Sequence, residues 1–146
     1  MFFDTSDLRT SEIYLKCTEK IPSSKKGWVP YYTFSICRTT DDEKVCHCNL
    51  RIGHNERLYF GGNIGYTVHE EFRGNHYAGK ACLLLLSLAR KHNMEYLYIT
   101  CSPDNYASKK TCEYAGAALE AVVDLPMDND MYLDGERQKC VYRIEL

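Results

Sequence analysis

The sequence IGYTVHEEFRGNHYAGKA, residues Ile64–Ala81, contains the junction that decides the fold. Its first residues are typical of a strand that ends near Val68, and a charged turn follows. The segment Gly79–His92 has no internal Gly or Pro and is mostly Leu, Ala and Cys, which predicts a deeply packed helix. The junction therefore predicts a strand, a turn and a buried helix in immediate succession.

The start of this helix is a candidate anion site. Backbone amides at a helix N-terminus lack partners within the helix, and the helix dipole adds positive potential there. A diphosphate is a natural ligand for such a position. Small residues at Gly74, Ala78 and Gly79 would let a ligand approach the backbone. An ordinary tight turn between a strand and a helix is the alternative interpretation.

Further strands are predicted on both sides of the junction. Alternating apolar and polar residues predict an antiparallel meander in the first half and two closing strands at the end. Asn105 can cap a second helix that runs to Tyr114, and Gly116 stands where a C-terminal cap belongs. The order indicates one α/β or α+β domain, residues 1–146, whose sheet is covered by helices. The predicted strands are Glu12–Ile21, Tyr31–Arg38, Lys44–Ile52, Asn63–His69, Tyr96–Cys101, Ala118–Leu125 and Gln138–Leu146.

The composition narrows the function classes. The chain has 146 residues, about one domain, with 18 Lys and Arg against 20 Asp and Glu. This near balance argues against a dedicated nucleic-acid-binding or membrane-surface protein. The longest apolar run, Ala81–Leu86, is too short to span a bilayer, and the amino terminus lacks the basic and apolar regions of a secretory signal. We therefore expect a cytoplasmic protein without nucleic-acid or membrane partners.

Eight cysteines are the unusual feature of the composition. Their spacing contains no C-x-x-C pair, and Cys46-His47-Cys48 has no second cluster to complete a metal site. The cytoplasm keeps thiols reduced. We expect mostly buried free cysteines that pack as small apolar residues, and no metal site.

A nucleotide-binding P-loop is one candidate for the junction. Gly74, Gly79 and Lys80 match the skeleton of that motif. The next residue should be Ser or Thr to bind magnesium, but it is Ala81. The charged segment HEEFR also stands where the strand of a P-loop should run on, and its carboxylates would repel a triphosphate. The P-loop is therefore the weaker interpretation.

The junction more closely resembles the acetyl-CoA-binding motif of the GNAT N-acetyltransferases. That motif is Arg or Gln, two residues, Gly, one residue, then Gly or Ala. Arg73 and Ala78 match it, Gly74 is a frequent companion, and His76 replaces the first motif glycine. The segment Asn105-Tyr106-Ala107-Ser108 resembles the start of the helix that follows the next strand in the family. The order and separation of the two motifs agree with the family.

The resemblance implies the GNAT fold, a mixed central sheet of about six to seven strands with helices packed on it. It also implies acetyl-CoA as the co-substrate. The family usually has one or two helices between its first two strands, but only Pro22–Pro30 is available here, so the fold is expected to be shortened there. If His76 faces inward and is protonated, it could help to hold a phosphate. The implied cofactor-binding residues are Thr67, Val68, Arg73, Gly74, Asn75, His76, Tyr77, Ala78, Gly79, Asn105 and Ser108.

The catalytic groups match the family less well. Many relatives carry Tyr seven residues after the Asn of the second motif, and here that position is Cys112. Either Cys112 acts as the acid, or it packs in the core and Tyr106 or another nearby Tyr donates the proton. A backbone amide near Val68 is expected to bind the thioester oxygen. Candidates for the base, of which Glu70 is our choice, are Asn63, Tyr66, His69, Glu70, Glu71 and His54.

The function implied by the resemblance is transfer of acetyl from acetyl-CoA to an amine, by direct attack in a ternary complex. The acceptor is a small-molecule or peptide amine, and the protein is expected to be a monomer or homodimer. The alternative is a GNAT fold that binds acetyl-CoA or CoA as a sensor or interaction module without catalysis. For Asn105 and Ser108, helix capping alone is the competing interpretation.

Overall fold

The computed structural model describes residues 1–23 and 28–146 as seven strands, four α-helices and one 3₁₀ turn. The strands are β1 (Ile13–Ile21), β2 (Tyr31–Arg38), β3 (Lys44–Arg51), β4 (Ile64–Val68), β5 (Tyr96–Cys101), β6 (Ala118–Asp124) and β7 (Gln138–Glu145). The helices are α1 (Glu56–Gly61), α2 (Tyr77–Lys91), α3 (Tyr106–Tyr114) and α4 (Asp130–Leu133), and the 3₁₀ turn is Glu70–Phe72.

The expected α+β class and the seven strands are confirmed, but the strands are divided between two sheets instead of forming one mixed sheet. The first has the order β1-β2-β3-β4 and the second β5-β7-β6, and every ladder within them is antiparallel. Helix α2 packs across β1, β3 and β4. Its fully buried Leu85, Leu88 and Ala89 belong to the core that this sheet covers. Each buried leucine contributes about 1.5–3 kcal/mol, so the face of α2 holds the fold together.

Hydrogen bonds of the buried Asn63 link the two sheets, which also share one hydrophobic core. Asn63 precedes β4, and its main-chain amide donates to the Tyr98 carbonyl of β5 over 2.7 Å. The Asn63 side chain accepts from the Tyr98 amide and donates to the carbonyls of Arg51 and Gly53. Among the residues that the structure describes, no other main-chain hydrogen bond links β4 to β5. The sheets therefore meet at the start of β4 and have separate edges beyond it.

The prediction of free and mostly buried cysteines is confirmed. All eight cysteines are free, and seven of them are buried, with Cys17 half-buried. Cys46, Cys48 and Cys82 belong to the core beneath α2, where the thiols pack as small apolar groups.

Three parts of the chain differ from the sequence prediction, which has helices only at Gly79–His92 and from Asn105 to Tyr114. The connection between β3 and β4 contains α1, which Asn55 caps by accepting from the Leu58 amide. The polar loop before β7 contains α4, which Asn129 caps in the same way. Helix α2 begins two residues before Gly79 because Tyr77 is already buried in the core. The predicted turn over Pro22–Pro30 lies partly outside the described residues, and its described part is neither helix nor strand.

Candidate active site

The free edge of β4 faces the space between the two sheets. At the end of the β3–β4 ladder, His69 donates its amide to the Val45 carbonyl. In an antiparallel ladder, alternate residues direct both main-chain groups to the partner strand, so Thr67 also faces β3. The main-chain groups of Tyr66 and Val68 therefore point away from β3, toward β5. This edge offers two amide donors to an extended ligand.

The turn after β4 is held against the strand end. The Arg73 guanidinium donates to the outward carbonyl of Val68 over 3.4 Å. Asn75 donates its side-chain amide to the Phe72 carbonyl, which closes the turn. Gly74 between them has φ +92°, and an added Cβ would meet no atom within 4 Å. This position needs glycine for its left-handed backbone, and it leaves an open surface beside the turn.

The first turn of α2 follows without a side-chain cap. His76 occupies the N-cap position in the left-handed conformation and makes no capping hydrogen bond. The first intrahelical bond runs from the Lys80 amide to the His76 carbonyl. The amides of Tyr77, Ala78 and Gly79 consequently lack helical partners, and this turn carries no acidic residue. The helix dipole favours an anion at this position.

Helix α3 provides the opposite wall of the site. Asn105 caps it by accepting from the Ser108 amide over 3.1 Å. The Tyr66 side chain reaches from β4 to this helix, and its hydroxyl lies 2.5 Å from the Ser108 hydroxyl. The same Tyr66 oxygen is 4.0 Å from the Cys112 thiol. A contact between side chains thus connects β4 with α3.

A cavity of about 660 Å³ lies on the side of the first sheet that α2 does not cover. Its walls are α1, outward-facing residues of β3, the residues before β2 and the segment around α4. The cavity comes near β4 through Asn49 of β3. The amide group of Asn49 would lie 3.1 Å from a Cβ added to Gly65 of β4. The lining residues are Trp28, Val29, Tyr31, Asn49, Arg51, Asn55, Glu56, Arg57, Leu58, Phe60, Gly61, Pro126, Asp128, Asn129, Asp130 and Met131.

Comparisons with known proteins identify the family. The family model of the acetyltransferase (GNAT) domain matches residues 4–118, more than half of the chain. The chain belongs to the GNAT acetyltransferase family. Members of this family are acyltransferases that use acetyl-CoA. No curated protein sequence matches the chain.

Solved structures of GNAT proteins share the fold. An acetyltransferase from Bacillus anthracis is 18% identical, with a TM-score of 0.62 over 77% of this chain and 65% of its own. The microcin C7 self-immunity acetyltransferase MccE, solved with acetyl-CoA and AMP, is 18% identical, with a TM-score of 0.63 over 80% and 61%. RimJ from Mycobacterium smegmatis, solved with CoA-disulfide, is 21% identical, with a TM-score of 0.62 over 79% and 53%. The chain therefore spans less than two thirds of the length of these proteins.

The structure brings most of the predicted cofactor residues together. Val68, Arg73, Gly74 and Asn75 adjoin the uncapped start of α2, as the GNAT motif implies. Thr67 differs, because its main chain pairs with His47 and only its exposed side chain is free to bind a ligand.

The sequence suggested that Ala78 and Gly79 would let a ligand approach the backbone, but in the structure both are packed against the protein. A Cβ on Gly79 would overlap the Tyr114 ring, so glycine is needed there to pack α2 against α3. Ala78 is buried, and only Gly74 faces open space. The exposed His76 ring stacks on Tyr114 at 4.9 Å rather than turning into the helix start.

The predicted catalytic residues occupy three different environments. Cys112 is completely buried, whereas the Tyr106 side chain at the start of α3 is 71% exposed. Glu70 is exposed in the 3₁₀ turn after β4. A hydrogen bond to Cys101, together with burial, raises the pKa of the Cys112 thiol. Burial is the main reason that the pKa of the Tyr66 phenol is raised, and the neighbouring Cys112 is the second. Both groups therefore hold their protons at neutral pH.

The other candidates for the base are also dispersed. The side-chain amide of Asn63 is already engaged in three hydrogen bonds, with Arg51, Gly53 and Tyr98. His54 stacks on Tyr96 at 4.1 Å and bonds to its carbonyl. The His69 ring lies 6.3 Å from the His47 ring, beyond the end of β4. The geometry does not single out one of them as the base.

Sequence reasoning missed the contact between Tyr66 and Ser108 and the residues of the cavity. Tyr66 appeared only among candidates for the base, because no local pattern links it to a residue 42 positions away. Helix α1 had a local signal in Asn55 followed by Glu56, which is a capping residue before an acidic first turn.

Neither a metal site nor a membrane span emerges from the described part of the chain. Residues 1–23 and 28–146 contain no group of three or more His, Cys, Asp or Glu that could hold a metal ion. Within the same ranges, no helix is both long and apolar enough to cross a membrane.

Proposed function

We propose that the chain is an acetyl-CoA-dependent N-acetyltransferase that acts by direct attack of an amine in a ternary complex. The observation that carries this proposal is the main-chain edge of β4 beside the uncapped start of α2, with a cavity for the acceptor against the neighbouring strand β3. The outward amides of Tyr66 and Val68 suit the extended pantetheine arm. The uncapped start of α2 suits the diphosphate.

The acetyl group of acetyl-CoA would lie at the end of the pantetheine arm, beside β4. The Val68 amide is aimed into the gap and would donate to the thioester oxygen, whose negative charge grows as the amine attacks. Holding the two substrates on the neighbouring strands β4 and β3 would convert their encounter into a reaction within a complex. Acetyl-CoA supplies the activated acyl group, and the chain supplies the orientation.

The charges around the cavity support an amine acceptor. Three carboxylates line it, from Glu56, Asp128 and Asp130, and the described residues include no ion pair to any of them. The two arginines of the lining are engaged, Arg51 with the Gly62 carbonyl and Arg57 over the Trp28 ring. Free carboxylates attract a protonated amine, which must then lose a proton before it attacks.

The acceptor class remains an amine of a small molecule or a peptide. Structural neighbours include RimL, named as a ribosomal L7/L12 alpha-N-protein acetyltransferase, which is 19% identical with a TM-score of 0.60. A cavity of about 660 Å³ has room for a small amine or for the first residues of a peptide. We also propose a cytoplasmic location, because eight free thiols suit a reducing compartment.

Binding and turnover assays test the proposal. Acetyl-CoA should raise the Tm, and loss of thioester absorbance should follow when small amines or peptides with a free α-amino group are added. The matched controls are the same acceptors already acetylated on nitrogen, which should give no turnover.

Other results would support the competing functions. A Tm shift with acetyl-CoA but no turnover over the whole panel would favour a sensor, which the burial of Cys112 also suits. A shift with ATP that needs magnesium would favour a nucleotide enzyme, although Lys80 pairs with Glu12 and the Asn75 carbonyl.

A further inference from the structure

The proposed reaction leaves the CoA thiolate in need of a proton, and the expected donors are badly placed. Cys112 has no exposed surface, so a ligand cannot touch its sulfur in this conformation. Tyr106 is 71% exposed, and the Lys109 ammonium lies over its ring at 5.4 Å. Tyr106 is therefore a surface residue of α3.

Tyr66 places a hydroxyl on the wall between β4 and α3. Its oxygen is 2.5 Å from the Ser108 hydroxyl, 3.4 Å from the Ser108 carbonyl and 4.0 Å from the Cys112 thiol. The ring is half-buried, and the main chain of the same residue faces the gap. A pantetheine arm on this edge of β4 would therefore lie beside the phenol.

The small side chain of Cys112 makes room for this arrangement. A larger residue at position 112 would meet the phenol, because the two side chains are already in contact at 4.0 Å. The phenol thus reaches α3 from β4 rather than being carried by α3 itself. Ser108, which is buried, holds the hydroxyl at that position.

We propose that Tyr66 donates the proton to the leaving thiolate of CoA, an inference that depends on the proposed function. The amine nitrogen bonds to the acetyl carbon, the bond between carbon and sulfur breaks, and the sulfur takes the phenolic proton. The amine nitrogen loses one proton to water, and the Tyr66 phenolate regains one from water. The products are an amide and free CoA. The proton that the amine gives to water balances the proton that Tyr66 takes back from water.

Tyr66 carries its proton when the thiolate forms, because burial raises the pKa of its phenol above the ordinary value. The raised pKa also weakens the phenol as an acid, so the assignment depends on the position of the hydroxyl, which lies 2.5 Å from the Ser108 hydroxyl. Ser108 is a positioning residue in this mechanism, since its hydroxyl orients the phenol without having to transfer a proton itself. A positioned acid accelerates a reaction by about 10²–10⁴-fold.

The test is Tyr66→Phe, with Tyr14→Phe as the matched control. Tyr14 also uses its hydroxyl in one hydrogen bond, to Asp42 over 2.8 Å, but on the surface between β1 and the β2–β3 turn. We expect Tyr66→Phe to lower kcat by about 100-fold. Its KM for acetyl-CoA and the Tm shift with acetyl-CoA should stay near those of the wild type. Tyr14→Phe should keep native kcat.

A second variant, Ser108→Ala, separates the donor from its partner and keeps the test decisive if Tyr66→Phe folds poorly. Ser108→Ala keeps the phenol but removes the hydroxyl that orients it, so we expect a loss in kcat of about tenfold or less. A Ser108→Ala loss as large as 100-fold, or native kcat in folded Tyr66→Phe, would overturn the assignment of Tyr66.

Failure of the proposed function gives a different result. If the wild type binds acetyl-CoA but consumes its thioester with neither amines nor water, the transferase function fails and the role of Tyr66 fails with it. If the wild type turns over and only the Tyr66→Phe result is wrong, the transferase function stands and the donor is another group.

Discussion

The cofactor side, at the edge of β4, and the cavity side, against β3, are formed by different chemical groups. On the cofactor side, the outward amides of β4 and the uncapped start of α2 are main-chain groups, so binding depends on backbone conformation. On the cavity side, three carboxylates, two arginines and the Trp28 ring line the space, so binding depends on side-chain identity. This difference explains why the cofactor side carries a recognisable motif and the acceptor side does not. It also predicts that substitutions on each side will affect one substrate only.

The largest effect is expected at Asn63, where the two sheets are linked. Asn63→Ala removes three side-chain hydrogen bonds in a fully buried site and leaves the Tyr98 amide and two carbonyls unpaired. Each unsatisfied buried group costs about 1–3 kcal/mol, so the free energy of unfolding should fall by about 3 kcal/mol or more. Denaturant unfolding measures this change.

Asn75→Ala is the control for stability, because Asn75 is exposed and donates one hydrogen bond. It should cost less than about 1 kcal/mol. If Asn63→Ala were equally mild, Asn63 would not be the joint between the sheets.

The next effect concerns the cofactor side alone. Gly74→Pro cannot keep φ +92°, because proline holds φ near −65°, so the turn before α2 must change shape. We expect the affinity for acetyl-CoA to fall by about 100-fold, or about 2.7 kcal/mol, in isothermal titration calorimetry. The KM of the amine should change little.

A matched pair of alanine variants isolates the local effect of Gly74. Gly74→Ala and Gly116→Ala both place a side chain at φ near +90° in open space, so both should lose about 1–2 kcal/mol of stability. Only Gly74→Ala should weaken acetyl-CoA binding. Equal affinities for the two variants would argue against a diphosphate at this turn.

The reciprocal test concerns the cavity. The double variant Asp128→Asn with Asp130→Asn removes two carboxylates with little change in shape. We expect the KM of a cationic amine to rise about tenfold, equivalent to about 1.4 kcal/mol, while the Kd of acetyl-CoA is unchanged. Steady-state kinetics with both substrates measures the two effects. Asp134→Asn, an exposed substitution outside the cavity lining, should leave both values native. A change confined to the acetyl-CoA affinity would reverse our assignment of the two sides.

The smallest effect is expected at Arg73. Its exposed guanidinium donates to the Val68 carbonyl and would lie near a bound diphosphate. Arg73→Gln should weaken acetyl-CoA binding only a few-fold, by about 0.5–1 kcal/mol, at low ionic strength. Because salt screens exposed charges, the difference from the wild type should shrink as salt is added. A difference that persists in high salt would indicate a buried contact instead.

How much the sequence predicts also differs between the two sides. The strand, turn and helix around Gly74 could be predicted because each depends on local signals, namely alternation, a glycine-containing turn and a long apolar helix. The cap at Asn105 was predicted for the same reason and is confirmed. The beginning of α2 was misjudged by two residues because the core contact of Tyr77 is not a local signal.

The cavity could not be predicted, because its walls come from segments far apart in the chain. Trp28, Glu56 and Asp130 approach one another only after the sheet and α1 have formed. The contact of Tyr66 with Ser108 has the same origin, since it requires β4 and α3 to lie on opposite sides of the gap. Contacts of this kind depend on tertiary packing, which local patterns do not encode.

The most direct test of the account is a crystal structure of the chain with acetyl-CoA. We predict that the pantetheine arm lies along β4, with the Val68 amide within hydrogen-bond distance of the thioester oxygen. The diphosphate should contact the amides at the start of α2, and the sulfur should face the Tyr66 hydroxyl. A cofactor bound in the cavity beside α1, or anywhere that leaves the gap between β4 and β5 empty, would contradict the account.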